Sequence, residues 1–242
     1  MILRLLLIIL LIMTGCAENA PHPAPPILLF NGTGTSQNDV AAVKAVLAEC
    51  GLDYATANSA QLNAMTESQL SAYRLLIIPG GHYIKMGNSL APRTTATVHK
   101  AVHGGLNYLG ICAGGLLAGD AQCNSFNLAS GVRFGFYAAV NRNIHKAAVP
   151  IACVDTPTME HYWEDGPQFT GWGDVVGTYP DKTPAIVEGS VGKGWVILSG
   201  VHPEAPANWR DGMDFKTPAS DDNAYAGTLI KAALNRTVLP HH

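Results

Sequence analysis

The possible folds are limited most by a set of three short apolar runs in the first half of the chain. Each run is followed by a turn that contains glycine. They read ILLF at residues 27–30, LLII at 75–78 and NYLGI at 107–111. Short uninterrupted apolar runs are typical of strands that are buried on both faces. Segments with apolar residues at helical spacing, 38–51 and 94–105, lie between them. Strands that alternate with helices predict right-handed crossovers, so the sequence indicates an α/β fold with a mainly parallel sheet.

The second half of the chain is less regular. Residues 132–140 and 148–155 are predicted strands, and residues 160–174 are predicted to form an ordered aromatic loop. A hairpin is expected over 184–200, turning at residues 192–194, and an amphipathic helix closes the domain at 221–236.

Size and charge limit the functional classes. The chain has 242 residues, of which 48% are hydrophobic, and this is enough for one sizeable core. The formal net charge is −3, so no basic field would attract nucleic acid. We therefore expect one folded domain that does not bind DNA or RNA.

The N-terminus reads as a targeting segment. Arg4 precedes an apolar stretch at residues 5–13, which is too short to span a bilayer comfortably. The ending MTGC resembles the bacterial lipoprotein signal, so residues 1–16 are expected to be a signal segment with lipidation at Cys16. Residues 17–26 form a proline-rich tether, and residues 27–238 form the domain. The protein would then be exported and anchored in a bacterial cell envelope. An ordinary secretory signal or an uncleaved N-terminal helix is the alternative.

Export would also permit disulfides. Apart from Cys16, the chain has Cys50, Cys112, Cys123 and Cys153. We expect a bridge between Cys123 and Cys153, and Cys50 as a small apolar residue on a helix.

Cys112 lies in GICAGG, directly after a predicted strand. Gly110 and Gly114 flank it in a G-x-C-x-G pattern, the cysteine analogue of the serine nucleophile elbow. In such a turn the glycines let the strand and helix backbones approach closely. A buried structural cysteine in a glycine-rich bend is the alternative.

A nucleophilic cysteine needs a base, and the base needs an orienting partner. His202 and Glu204 in GVHPE provide both residue types two positions apart, so in an extended segment they point to the same face. Both follow a predicted strand whose carboxyl end should lie beside Cys112. The alternative is a surface histidine and glutamate in a loop.

The tetrahedral intermediate of such a reaction needs backbone N–H donors. Candidates are the N–H of Ala113, directly after the cysteine, and those of Gly80 and Gly81 in PGG. The order of PGG, GxCxG and HPE along the chain is more specific than any of the three alone.

These motifs resemble the class I glutamine amidotransferase-like superfamily. The sequence around these motifs is similar to the biotin-protein ligase N-terminal domain family and its standalone bacterial relatives. The segments that carry this similarity are LFNGTGTS, LLIIPGGHY, GGLNYLGICAGG and GWVILSGVHPE. The resemblance implies a flavodoxin-like three-layer α/β/α sandwich with a Cys112, His202, Glu204 triad. Leu116 stands where glutaminases of this superfamily commonly carry glutamine. The catalytic half of a biotin ligase is missing, so biotin ligation is not implied.

Other residues have weaker signals. His82 and Tyr83 could contact substrate or pack locally, and the aromatic segments 161–166 and 171–172 could line a pocket or pack the fold. No residue spacing suggests a metal site, and the final residues, PHH, are expected to form a solvated tail.

We therefore expect a cofactor-independent hydrolase that cleaves a C–N amide bond of a small molecule or peptide through a cysteinyl thioester. A non-catalytic binding module that keeps the same pocket is the alternative, and a redox role for the cysteines is a third possibility.

Overall fold

The computed structural model describes residues 25–242, so the predicted signal segment, Cys16 and most of the tether lie outside the described residues. Among the described residues no helix is long and apolar enough to cross a membrane. The described part contains eleven strands, seven α-helices and two short 3₁₀ helices. The strands are β1 (Ile27–Phe30), β2 (Tyr54–Ala57), β3 (Leu75–Ile78), β4 (Asn107–Ile111), β5 (Gly135–Phe136), β6 (Lys146–Cys153), β7 (Met159–Glu164), β8 (Pro167–Gln168), β9 (Asp174–Thr178), β10 (Pro184–Val191) and β11 (Gly194–Ser199). The helices are α1 (Gln37–Glu49), α2 (Ser59–Ala64), α3 (Glu67–Leu70), α4 (Tyr83–Asn88), α5 (Pro92–Gly104), α6 (Ala113–Ala118) and α7 (Ala219–Asn235), and the 3₁₀ helices span Val140–Arg142 and Ala207–Arg210.

Nine strands form the central sheet, in the order β2-β1-β3-β4-β11-β10-β9-β6-β7. The first five strands in this order are parallel to one another, and each later strand pairs antiparallel with its neighbour. The predicted α/β class with a parallel sheet is confirmed, and an antiparallel extension is added to it. The parallel strands β1, β3, β4 and β11 all end at the same edge of the sheet, where ligand sites of open α/β sheets lie.

Helices cover both faces of the sheet, which gives three layers. Buried apolar side chains of α1 and α7 pack on one face together with those of β1, β3 and β4 that point that way. Side chains of α5 and α6 pack on the other face. Strand residues alternate between the two clusters: Leu28 belongs to one and Leu29 to the other. The parallel strands are therefore buried on both faces, as their uninterrupted apolar runs predict.

Several local predictions agree with the structure. The helix predicted from Asn38 is α1, which is capped by the Ser36 side chain and followed by Gly51 at a φ of 63°. The predicted hairpin is β10–β11. At α3, Thr66 and Gln69 form a capping box.

Two predictions in the second half are wrong. Residues 132–140 are mostly irregular and contain only the two-residue strand β5. The segment 160–174, predicted as a loop, is mainly strand and contributes to β7, β8 and β9. Tyr162 and Trp163 are buried residues of β7, Phe169 is buried just after β8, and Trp172 is half-buried between β8 and β9. The glycines between these short strands hide the strand pattern in the sequence.

The predicted disulfide is also wrong, because Cys123 and Cys153 are both free thiols. Cys123 packs with the apolar cluster on the α5 and α6 face of the sheet, while Cys153 packs with the cluster on the α1 and α7 face. The sheet therefore separates the two sulfur atoms.

The C-terminal residues are not a solvated tail. The Leu239 N–H donates to the buried Glu188 carboxylate at 2.7 Å, and His241 Nε2 lies 2.8 Å from the same oxygen. The His242 N–H donates to Val175 O at 2.9 Å. A buried carboxylate needs such donors, and the terminal residues supply them.

Candidate active site

Cys112 lies in a strained turn between β4 and α6. Its φ is 49° and its ψ is −106°, a combination that residues with a Cβ rarely adopt. The Cys112 N–H donates to Ser199 O of β11 at 2.7 Å, which fixes the turn against the sheet. A Cβ on Gly114 would come within 2.8 Å of the Ile78 carbonyl carbon, and one on Gly110 would lie 2.6 Å from Gly114 O. Both flanking glycines are thus required by close backbone approach, as the motif predicts.

His202 and Glu204 follow β11 at the same edge of the sheet, and both are buried. The His202 N–H donates to Tyr162 O at 2.8 Å, which attaches the HPE segment to β7. His202 Nδ1 lies 2.9 Å from Glu204 Oε1. The Nε2 atom of His202 has no hydrogen-bond partner among residues 25–242. The ring therefore presents Nε2 as its free nitrogen.

A second carboxylate, which the sequence analysis missed, reaches the same histidine. Asp39 Oδ1 lies 3.2 Å from His202 Nδ1, and Asp39 is 6% exposed. Asp39 lies in the first turn of α1, and its N–H donates to the hydroxyl of the Ser36 cap. Gly80 makes room for this contact, since a Cβ there would overlap Asp39 Oδ1 and lie 2.7 Å from His202 Cε1. An acidic residue in the first helical turn after β1, at the sheet edge that carries PGG and HPE, was the available signal.

These charges determine the protonation of His202. Burial alone would lower its pKa, but the charges of Glu204, Cys112 and Asp39 together raise the pKa well above its ordinary value. Burial alone would raise the pKa of Asp39. The charge and hydrogen bond of His202 nevertheless hold the pKa of that carboxyl below its usual value. The histidine is accordingly an imidazolium between carboxylates, and its pKa responds to the charge of Cys112.

Two backbone donors border the cavity beside Cys112. Among residues 25–242, the N–H groups of Gly81 and Ala113 find no acceptor, and both residues line the cavity. Gly81 has a φ of 145°, a conformation that favours glycine. Gly80 is buried beneath the cavity rather than in its wall.

Cys112 and His202 open onto one cavity of about 820 Å³. Polar, aromatic and acidic side chains form its walls. They are Ser36, Asn38, Asp39, His82, Tyr83, Leu116, Phe136, Lys146, Tyr162, Glu164, Asp165, Asn208, Trp209 and Asp211. His82 and Tyr83, the two predicted substrate contacts, both border this cavity.

The aromatic segments predicted as alternative pocket residues divide between different places. Glu164 lines the cavity, whereas the Trp163 side chain is fully buried and donates from Nε1 to Gly166 O. Gly171 and Trp172 lie at a separate surface depression.

Asp39, His202 and Glu204 also offer three ligand atoms within 4.8 Å of one another, the sole such grouping within the described range. The two distances from Nδ1 are those of hydrogen-bonded ion pairs, and a proton on Nδ1 occupies the lone pair that a metal ion would need. We therefore interpret the grouping as a charge-paired histidine.

Comparison with known proteins agrees with this fold. Residues 26–130 match the family model of the biotin-protein ligase N-terminal domain. The predicted family resemblance is confirmed there. The match includes β1 to β4, PGG and the Cys112 turn, and it ends before β7, which carries Tyr162 and Glu164, and before His202, which follows β11. No curated protein matches the chain.

Solved structures show the same fold at low identity. A cytoplasmic protein from Salmonella typhimurium has a TM-score of 0.53 and 13% identity, with 85% of this chain and 98% of that chain covered. A putative GMP synthase protein from Thermoplasma acidophilum has a TM-score of 0.51 and 13% identity, with 87% and 98% covered. An exo-beta-1,4-mannosidase from Opitutaceae bacterium strain TAV5 has a TM-score of 0.52 and 15% identity, with 85% and 36% covered. The chain thus spans about a third of the mannosidase. The fold is that of the amidotransferase-like, flavodoxin-like sandwich.

Proposed function

We propose that the protein is a cysteine-dependent hydrolase of a C–N amide bond. The observation that carries the proposal is the pairing, on one cavity, of a cysteine in a strained turn with a buried histidine held by carboxylates. A binding module would have no need of a cysteine held in a strained turn on the same cavity as an ionised imidazole.

In this mechanism the Cys112 thiolate attacks the carbonyl carbon of the amide, and a C–S bond forms as the carbonyl oxygen takes up negative charge. The N–H groups of Gly81 and Ala113 donate to that oxygen. His202 then gives its proton to the amide nitrogen, the C–N bond breaks and the amine leaves. A water molecule attacks the thioester as His202 takes its proton, and Cys112 leaves as the thiolate.

Glu204 orients the imidazole in this mechanism. Its Oε1 atom is the nearest oxygen to Nδ1, at 2.9 Å, so Nδ1–H is donated to Glu204 and Nε2 is left for the sulfur and the substrate. The raised pKa of His202 favours the imidazolium, which stabilises a thiolate beside it.

Asp39 acts as a second positioning carboxylate. Because a single Nδ1–H cannot be donated fully to both oxygens, the contribution of Asp39 at 3.2 Å is mainly its charge. It keeps the imidazolium ionised without replacing Glu204.

Glutamine is not the favoured substrate. Leu116 lines the cavity at the position where glutaminases of the superfamily commonly carry glutamine. A leucine side chain offers no hydrogen bond to the polar groups of a glutamine substrate.

Alkylation of the full chain tests the nucleophile before a substrate is known. We expect iodoacetamide at pH 6 to modify Cys112 at least about tenfold faster than free cysteine, as measured by peptide mass spectrometry. Cys112→Ser defines the background from the other cysteines, and His202→Gln should remove the advantage. Hydrolysis of amide, peptide and γ-glutamyl substrates should be lost in Cys112→Ser. If Cys112 reacts no faster than free cysteine in the wild type, the proposal is wrong.

We also propose that the domain is tethered to a membrane of the cell envelope through Cys16. Membrane fractionation of cells expressing the full chain tests this, with Cys16→Ser as the matched variant. The wild type should be recovered with membranes and the variant should not, whereas equal distribution of the two would contradict lipidation.

A further inference from the structure

One wall of the cavity is built by alternate residues of β7. Tyr162 and Glu164 line the cavity, while Trp163 between them points into the core. The Tyr162 hydroxyl donates to Glu164 Oε2 at 2.5 Å, and the Glu164 carbonyl oxygen lies 3.7 Å from Cys112 Sγ. This wall therefore brings the Glu164 backbone next to Cys112 and presents the Tyr162 ring and the Glu164 carboxylate to the same cavity.

Acidic groups outnumber basic ones around the cavity. Glu164 and Asp165 come from the end of β7, and Asp211 comes from the segment after HPE. Lys146 is the lone lysine or arginine among the lining residues that the structure describes. Its Nζ atom is 4.0 Å from Glu164 Oε2, at the limit of an ion pair between exposed groups. Asp165 pairs with the exposed His145 outside the cavity wall, at 2.7 Å.

The buried floor adds a further acceptor. Asp39 is 6% exposed and borders the cavity, and its Oδ1 atom lies 3.2 Å from His202 Nδ1, farther than Glu204 Oε1. The Nδ1–H of His202 is directed to Glu204 instead. A negative charge is thus present beneath the rim as well as on it.

Aromatic side chains complete the walls. Tyr162 and Trp209 flank the His202 ring, with centroid distances of 5.8 and 5.9 Å. Tyr83 and Phe136 also line the cavity, and their rings meet edge to face. Carboxylates combined with aromatic faces form the environment in which proteins bind organic cations.

The chain itself shows that one corner of the cavity accepts an ammonium group. Lys146 Nζ lies 5.4 Å from the centroid of Tyr162 while it approaches Glu164. The Lys146 side chain is 49% exposed, so it can leave this corner at little cost when another cation enters.

We propose that the amide substrate carries an ammonium or guanidinium group beside its scissile bond. This inference rests on the proposed hydrolase function and specifies its substrate class. The cation would lie among Tyr162, Glu164 and Asp211, with Trp209 packed against it. An anionic group in the same place would meet the rim carboxylates and the Cys112 thiolate, which would repel it.

Two thiol reagents of opposite charge test the inference on the full chain. These are 2-aminoethyl methanethiosulfonate and 2-sulfonatoethyl methanethiosulfonate, with each rate at Cys112 divided by the rate with free cysteine. We expect the cationic reagent to be favoured at least about tenfold at low salt, and the preference to shrink as salt is added. Glu164→Gln should reduce the preference. Asp53→Asn, which removes one exposed charge before β2 at the opposite edge of the sheet, should leave it unchanged.

Different measurements would show a failure of the cationic substrate and a failure of the proposed hydrolase function. Equal normalised rates for the two reagents, or a preference for the anionic one, would overturn the cationic substrate while leaving the iodoacetamide result intact. A Cys112 no more reactive than free cysteine toward iodoacetamide would overturn the hydrolase itself. In a substrate panel, lysine and arginine anilides should be cleaved faster than the matched norleucine and glutamate anilides, and the reverse order would contradict the inference.

Discussion

The parallel and antiparallel halves of the sheet contribute different things to the site. The parallel half supplies the Cys112 turn, the backbone donors and Asp39, and it overlaps the part that matches the family model. From the antiparallel half come Tyr162, Glu164 and Lys146, which form a wall of the cavity. His202 comes from the chain directly after β11, the strand at which the two halves meet.

This difference indicates a division between chemistry and selection. The parallel half holds the groups that the proposed thioester mechanism needs, and their geometry is fixed by backbone contacts between neighbouring strands. Under the proposed function, the antiparallel half presents the side chains whose charge and shape select the amide. Changes in the first half should therefore act mainly on kcat, and changes in the second mainly on KM and stability.

The largest expected effect is on stability and concerns the buried ion cluster between α7 and the antiparallel strand β7. Asp222 of α7 is fully buried, receives a hydrogen bond from Arg210 and lies 3.2 Å from His161 Nδ1 of β7. Asp222→Asn leaves the Arg210 charge unpaired, so the free energy of unfolding should fall by about 3–5 kcal/mol in urea denaturation. The exposed neighbour variant Asp221→Asn should change it by less than about 0.5 kcal/mol. Equal stabilities for the two variants would show that the buried cluster is unimportant.

The next effect tests the parallel half. Gly80→Ala forces its Cβ against Asp39 and His202, so hydrolysis should slow by about 100-fold because the imidazole moves. The accompanying loss of stability should be about 1–3 kcal/mol. Gly104→Ala is the matched control, since a Cβ at that position meets nothing within 4 Å. Full activity in Gly80→Ala would contradict the assigned position of His202.

A smaller effect distinguishes the roles of Glu204 and Asp39, the two carboxylates that contact His202. Both raise the pKa of His202, so Glu204→Gln and Asp39→Asn should each lower it, as followed by NMR titration of the imidazole. His202→Gln identifies the signal. We expect Glu204→Gln to reduce kcat by about 100-fold and Asp39→Asn by about tenfold, because only Glu204 also fixes the ring through a hydrogen bond. A His202 pKa that is unchanged in Asp39→Asn would remove Asp39 from the site.

The smallest effect is the dependence of stability on pH. Because the pKa of His202 is raised in the folded protein, the ionised ring contributes stability that is fully present below its unfolded pKa of about 6.5 and is lost as pH rises through the folded pKa. The difference in unfolding free energy between the wild type and His202→Gln should therefore be largest near pH 6 and decrease in alkaline solution. A difference that grows with pH would mean that His202 is neutral in the folded protein.

The sequence predicted the parallel half well and the antiparallel half poorly, for physical reasons. Strands that are buried on both faces have apolar runs in their sequence, and sites of close backbone approach have glycines. For this reason β1, β3, β4 and the Cys112 turn could be predicted. In residues 160–174, the side chains of β7 point alternately into the core and into the cavity, and glycines separate the short strands. In the sequence this pattern resembles that of a loop.

Asp39 was missed for a related reason. An aspartate in the first turn of a helix is common because it favours the helix dipole, so its type and position carry no distinctive signal. Its contact with His202 depends on how α1 docks beside PGG, which is a tertiary property. The contact between Glu204 and His202, by contrast, joins residues only two positions apart in the sequence, so it could be predicted.

The backbone of Cys112 has an evolutionary consequence. A glycine at this position would take the same φ of 49° and ψ of −106° without the penalty that a Cβ incurs. Cys112→Gly is thus a single substitution that relaxes the fold while it removes the sulfur. Under the proposed function, a lineage released from selection for the reaction could lose this strain and the sulfur together in that one step.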